Sequence, residues 1–248
     1  MTASDKHLRE ANEELQAFAY AASHDLRAPL KSISGQLQLL ESLCSDALPQ
    51  TAQTLMSNMH LSLDRMSLMI DGLLDYAQIT NPEVHLETVD LHALTGSILD
   101  ARNDDLTSIA AAVTNLTGGS IFTSSPLVQR ILGSLVDNAI KYRRLDERLT
   151  LKIASKETEA GWSLSVEDNG IGIEEKYQDR IFGLMQRLHT QDEIAGNGLG
   201  LCLASKAARH LGGKIWLNST PGFGSTFFVF LPKEGGNGRQ ASENNRSD

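Results

Sequence analysis

Val166-Glu167-Asp168-Asn169-Gly170-Ile171-Gly172-Ile173 is the place where a short β-like run, Trp162 to Glu167, gives way to two closely spaced glycines. A carboxylate at a strand end, followed by residues without a Cβ, provides a fixed acceptor beside a backbone that a ligand can approach closely. Asp-Asn-Gly is also an ordinary turn sequence, so the octet alone marks only where a strand stops. Outward from it, β-like runs at His85 to Val89, Ala112 to Leu116, Leu149 to Ser155, Lys214 to Leu217 and Thr226 to Leu231 alternate with helical stretches. The helical stretches are Leu91 to Leu106, Pro126 to Tyr142 and Leu201 to Leu211. This alternation predicts one sheet with helices on a face, a two-layer α/β sandwich over residues 81–232.

Three further clusters belong to the same region. Gly196-Asn197-Gly198-Leu199-Gly200-Leu201 opens a helical stretch, where backbone amides can wrap phosphate oxygens. It does not follow a strand, which argues against a dinucleotide-binding fingerprint. Gly222-Phe223-Gly224-Ser225-Thr226-Phe227 precedes the last strand. Asn138-Ala139-Ile140-Lys141-Tyr142 lies on a helix, with an amide oxygen suited to a hard cation such as Mg²⁺ and a lysine able to add charge to the same phosphates.

In this order the four elements resemble the ATP-binding domain of the histidine-kinase, gyrase and heat-shock-chaperone superfamily, from about Pro82 to Pro232. The resemblance implies that Asn138 binds Mg²⁺ and that Asp168 bonds the exocyclic amino group of adenine. It makes Gly170 and Gly172 the shapers of the adenine pocket, and Gly196, Gly198 and Gly200 the hinge of a lid over the phosphates. Lys141, Tyr142 and Thr226 join the expected nucleotide site. The lid would run from about Glu174 to Asn197 and carries Phe182, with Arg187 placed to reach the terminal phosphate; Met185 stands where an aromatic is more usual. Hydrolysing members of the superfamily have a glutamate four residues before the metal-binding asparagine. Here that residue is Ser134, which is no base for water.

The first 80 residues have a different character. Leu8, Ala11, Leu15, Phe18 and Ala22, then Leu30, Ile33, Leu37, Leu40 and Cys44, recur in the three-four alternation of a helical seam. Between them Phe18, Ala22, Leu26 and Leu30 step by fours, so the repeat slips around His24. Pro29 predicts a kink just after His24. After a turn near Ser45 to Gln50, a second seam runs through Met59, Leu63, Met66, Ile70, Leu73 and Ala77. A lone hairpin cannot cover two apolar stripes, so two copies are expected to form a dimeric four-helix bundle. The complete expectation is α+β: the bundle hairpin (1–80), the sandwich (81–232) and a disordered tail (233–248).

Ser23-His24-Asp25-Leu26-Arg27-Ala28-Pro29-Leu30 lies on the first of these helices. A neutral imidazole offers a lone pair for attack on phosphorus, and a neighbouring carboxylate can hold the proton of the other ring nitrogen. The octet resembles the phosphoacceptor box of sensor histidine kinases. Its SHDL form, like the downstream Gln186-Arg187-Leu188-His189-Thr190, is similar to kinases attached to phytochrome-like photoreceptors. That resemblance implies ATP-dependent phosphorylation of His24 with Asp25 as base or orienting partner. It also implies transfer to an aspartate of a response-regulator receiver domain, and an upstream sensor. In members that also dephosphorylate the regulator, a threonine or asparagine four residues after the histidine orients water. Here Ala28 holds that position and predicts weak phosphatase activity.

Composition narrows the partners. A formal charge of −9 gives no basic footprint for nucleic acid. No run of about 20 apolar residues would cross a bilayer, and the polar start, MTASDKHLREANEEL, is unlike a signal peptide, so a cytoplasmic chain without membrane contact is expected. Cys44 and Cys202 are far apart and read as buried or neutral thiols in a reducing compartment. The other histidines show no metal-ligand spacing.

Overall fold

A computed structural model describes residues 3–44, 48–79, 84–183 and 198–233. The chain divides into two compact units, Met1–Asn81 and Pro82–Asp248.

The first unit is a helical hairpin of α1 (Ala3–Cys44) and α2 (Gln50–Gln78). Pro29 stands inside α1, which continues through it. Pro49 acts at the other end of the turn, where its carbonyl accepts from Ala52 N (2.9 Å) and Gln53 N (3.2 Å) and so starts α2. Leu37, Met56 and Leu63 form the buried contact between the helices, with Leu30 and Leu48 packed against it. Two ion pairs tie the antiparallel helices, Arg27 to Asp71 (2.5 Å) and Glu41 to His60 (3.1 Å). The seams divide by seven-residue steps. Leu30 and Leu37 pack in the contact with α2 and Cys44 is half-buried, whereas Leu26, Ile33 and Leu40 are 50%, 51% and 47% exposed. On α2, Leu63 and Ile70 are buried while Met59 and Met66 stay exposed. Among the described residues, part of each stripe is therefore uncovered within one chain.

The second unit begins with β1 (Glu87–Asp90), α3 (Leu91–Asp100), α4 (Asn103–Ser108), β2 (Ala112–Leu116), β3 (Ser120–Thr123) and α5 (Ser125–Lys141). It continues with β4 (Thr150–Glu157), β5 (Gly161–Asp168), α6 (Glu175–Gln178), a 3₁₀ turn (Arg180–Phe182), α7 (Gly200–His210), β6 (Lys214–Thr220) and β7 (Gly224–Pro232). The main sheet has the order β2-β4-β5-β7-β6, parallel only at β2–β4, and β1 pairs with β3 in a separate two-stranded sheet. Strand alternation sends Leu151, Ile153, Leu164, Val166, Phe227, Val229 and Leu231 into the core, all at most 4% exposed. There they share the core with Leu91 and Ile98 of α3, Ile131, Leu132, Leu135 and Val136 of α5, and Ala204, Ala207 and Ala208 of α7, each at most 1% exposed. Burying each of the larger side chains contributes roughly 1.5–3 kcal/mol.

Two expectations are corrected here. The helical stretch Leu91 to Leu106 is two helices, broken at Ala101–Arg102. At the break, Arg102 bonds back to the Ile98 carbonyl and forks onto Asp137 of α5. Ser120–Thr123 is a strand that four residues between glycines and serines did not signal. Residues 234–248, expected to be disordered, lie outside the described residues.

Candidate functional site: a nucleotide pocket and an exposed histidine

Asp168 ends β5, and the loop after it is fastened on every side. Asp168 Oδ1 accepts from Gly170 N (2.8 Å), Ile171 N donates to Tyr142 O (3.0 Å), and Gly222 N donates to Ile171 O (2.8 Å). Ile173 N donates to Ser219 Oγ (2.8 Å), which in turn donates to Gly224 O (2.9 Å). The two glycines are demanded by this packing. A Cβ on Gly170 would sit 2.5 Å from Tyr142 O and 2.7 Å from Asp168 Oδ1. Gly172 has φ +70°, and a Cβ there would be 2.1 Å from Thr220 O. Burial pushes the Asp168 carboxyl above the ordinary range, backbone N–H groups of Gly170 and Ser225 offset this in part, and Glu167 adds to the rise. A half-buried carboxylate held in this way is a fixed hydrogen-bond acceptor.

Asn138 projects from the last turns of α5. Its Nδ2 is buried and has no hydrogen-bond partner among the described residues. An unmatched amide N–H donor fits a side chain that completes its bonding on an acceptor atom of a bound ligand, which leaves the Oδ1 of the same amide as the atom suited to a hard cation. Asn138 therefore fits a nucleotide accompanied by Mg²⁺, with Oδ1 as the atom that would hold the ion. Ser134, one turn earlier on α5, lies under Gly200, whose added Cβ would be 3.8 Å from Ser134 Oγ. Lys141 is drawn onto Tyr142, with Nζ 3.0 Å from the phenol oxygen and 4.6 Å from the ring centroid.

Thr226 is not brought to Asp168. The β5–β7 register sets Ser225 opposite Asp168, while Thr226 pairs with Glu167 and Asn218 on the other face. Gly198 (φ +69°) and Gly200 stand just before and at the start of α7. Phe182 packs edge-on against Phe227, with centroids 6.5 Å apart, and so pins the start of the expected lid to β7. Met185, Arg187 and Gly196 lie outside the described residues.

Several positioning groups escaped the sequence reading. The Asn169 amide accepts from Thr150 N (2.8 Å) and donates to Arg148 O (2.9 Å), so the middle residue of Asp-Asn-Gly is a clamp. Gln178 Nε2 donates to Ile173 O and Ser219 O, both at 3.0 Å. Arg144 donates to Gly222 O (2.6 Å) and pairs with Glu147. All bridge residues distant in sequence, and only the turn residue at Asn169 hinted at its use.

On the hairpin, His24 and Asp25 are 76% and 83% exposed, and His24 Nδ1 lies 3.3 Å from Asp25 Oδ1. Ser23, by contrast, is buried at 0% exposure. Nδ1 is thus the ring nitrogen that lies beside the carboxylate. Cys202 is buried, which pushes its thiol up, and Cys44 is half-buried. Among the described residues no helix is long and apolar enough to cross a membrane, and no cluster of three metal-ligating side chains occurs.

Residues 14–82 match the His Kinase A (phospho-acceptor) domain, and residues 123–235 match the histidine kinase-, DNA gyrase B- and HSP90-like ATPase family. The chain is 33% identical over 227 residues to the phytochrome-like protein Cph1 of Synechocystis sp., covering 92% of this chain and 30% of that protein. It is 32% identical over 242 residues to cyanobacterial phytochrome A of Nostoc sp., covering 96% of this chain and 32% of that one. The chain thus spans about a third of the length of these curated relatives. Among solved structures, full-length ShkA in complex with AMPPNP superposes with a TM-score of 0.66 at 21% identity, over 87% of this chain and 46% of ShkA, a likeness of fold. A phosphoacceptor hairpin bearing an exposed His24 and an ATPase-type sandwich, joined in one polypeptide, make this chain a member of the sensor histidine kinases of two-component systems.

Proposed function

We propose that the chain autophosphorylates His24 from ATP and Mg²⁺ and passes the phosphoryl group to an aspartate of a response-regulator receiver domain. The reading is carried by the pairing of His24 Nδ1 with Asp25, which leaves Nε2 free on an exposed side chain. Nε2 attacks the terminal phosphorus while the bond to the bridging oxygen breaks and ADP leaves; Asp25 holds the Nδ1 proton throughout. Asn138 would hold Mg²⁺, which neutralises phosphate charge. Asp168 would fix the base and Lys141 would add charge to the phosphates, while the resemblance gives Arg187 the terminal phosphate and makes Gly196, Gly198 and Gly200 the hinge of the lid. Ser134 supplies no carboxylate to activate water, which favours transfer over hydrolysis.

The uncovered series Leu26, Ile33, Leu40, Met59 and Met66 supports a homodimer in which two hairpins make a four-helix bundle. A cytoplasmic setting, where ATP and the regulator are available, follows from the reaction, as does an upstream sensor that governs it. Ala28, exposed one turn from His24, supports weak phosphatase activity.

Incubation with γ-labelled ATP and Mg²⁺ tests this. Protein-bound label that is lost in acid and kept in alkali is the expected result. Release of inorganic phosphate with no bound label would instead assign an ATP-driven clamp.

A further inference from the structure

Arg27 has two possible partners. The residues one helical turn from His24 are Tyr20, Ala21, Arg27 and Ala28, so Arg27 is the one charged group at that spacing. In the structure it reaches to α2, where its Nη2 and Nε lie 2.5 and 3.2 Å from a single oxygen, Asp71 Oδ1. Arg102 shows the stronger alternative, a fork onto both Asp137 oxygens at 2.5 and 3.0 Å. The Arg27–Asp71 side chains are 50% and 54% exposed, so water screens the pair and it is weakly held. A phosphoryl group offers three acceptor oxygens and more than one negative charge, and competes well for a guanidinium.

We propose that Arg27 is a two-position cation. It pairs with Asp71 while His24 is free and moves onto the phosphoryl group when His24 carries one, which releases the tie between α1 and α2. This rests on His24 as the phosphoacceptor and makes Arg27 a positioning residue for the phosphorylated state, with Asp71 its competitor.

The test loads the full chain with phosphoramidate, a phosphoryl donor that needs no nucleotide site. The phosphorus signal of His24 is the one missing in His24→Gln, and the Nε–Hε signal of Arg27 is the one missing in Arg27→Gln. In the free protein Asp71→Asn should shift the Arg27 signal. After phosphorylation that signal should couple to phosphorus and stop responding to Asp71→Asn. An Arg27 signal unmoved by phosphorylation and still dependent on Asp71 overturns the proposal.

The second measurement is the ratio of phosphorylated to free protein at equilibrium with ATP and ADP. Asp71→Asn should raise it roughly two- to fivefold, Arg27→Gln should lower it by a similar factor, and the double variant should behave as Arg27→Gln. If both single variants shift the ratio in one direction, the pair only supports the hairpin and the proposal falls. If ATP gives no phosphorylation while the phosphoramidate-loaded protein shows the phosphorus coupling, the kinase reading fails and this contact stands.

Discussion

His24 Nδ1 lies 3.3 Å from Asp25 Oδ1, on consecutive residues of one exposed helix face. In the proposed reaction this contact holds the Nδ1 proton and leaves Nε2 as the nucleophile. Asp25→Asn keeps the size of the side chain but removes the charge that stabilises the imidazole proton as Nε2 attacks. Labelling by ATP should fall by roughly 10²–10⁴ while nucleotide affinity is unchanged. A fall of less than about tenfold in a quenched time course would remove Asp25 from this role.

Asp168 titrates in the opposite sense from a salt-bridged carboxylate. Its folded-state pKa is raised by burial, so its contribution to stability is present below the unfolded pKa and is lost as pH rises through the folded one. Asp168→Asn keeps an acceptor for Gly170 N and removes that loss. The nucleotide-free variant should therefore melt above wild type at neutral pH, with the difference shrinking in acid. Wild-type ATP affinity should weaken on acidification through this raised range, as the carboxylate gains a proton. A variant that melts lower at neutral pH would contradict the burial account.

The Asn169 clamp predicts a binding defect without loss of the fold. Asn169→Ala removes two hydrogen bonds that hold the Asp168 turn against Arg148 and Thr150, each worth about 0.5–1.5 kcal/mol. ATP affinity by calorimetry should drop roughly tenfold, with far-ultraviolet circular dichroism unchanged. Unaltered affinity would mean that the loop is held without it.

Much of this was legible in advance because it is written in local periodicity. The three-four alternation of Leu30, Ile33, Leu37, Leu40 and Cys44, with the second seam from Met59 to Ala77, announced a helical hairpin, and the glycine clusters taken in order with Asn138 and Asp168 announced an ATP-binding domain. The pairings that position the chemistry were not legible. Arg27–Asp71, Asn169–Arg148 and Gln178–Ser219 join residues 44, 21 and 41 positions apart, and no local pattern encodes such contacts. Thr226 shows the related failure, since the face a strand residue takes depends on register with its neighbour. The break at Arg102 was hidden because an arginine is a good helix former until a partner such as Asp137 draws it away.

Ala28 gives the fourth expectation. Its methyl group can neither donate nor accept a hydrogen bond, so it cannot orient water beside Asp25. Mixed with its phosphorylated regulator and ADP, the wild-type chain should leave phosphate loss at the spontaneous rate, and Ala28→Thr should accelerate it. Rapid loss with the wild type would show that water is positioned by another group.

The central claim is that ATP bound by the sandwich unit phosphorylates one residue of the hairpin, His24. Its most direct measurement compares wild type with His24→Gln after incubation with γ-labelled ATP and Mg²⁺, with dimer mass and ATP affinity recorded for both. Wild type should take up acid-labile label, and His24→Gln should take up none while dimerising and binding ATP as before. Label at the wild-type level on His24→Gln would contradict the account.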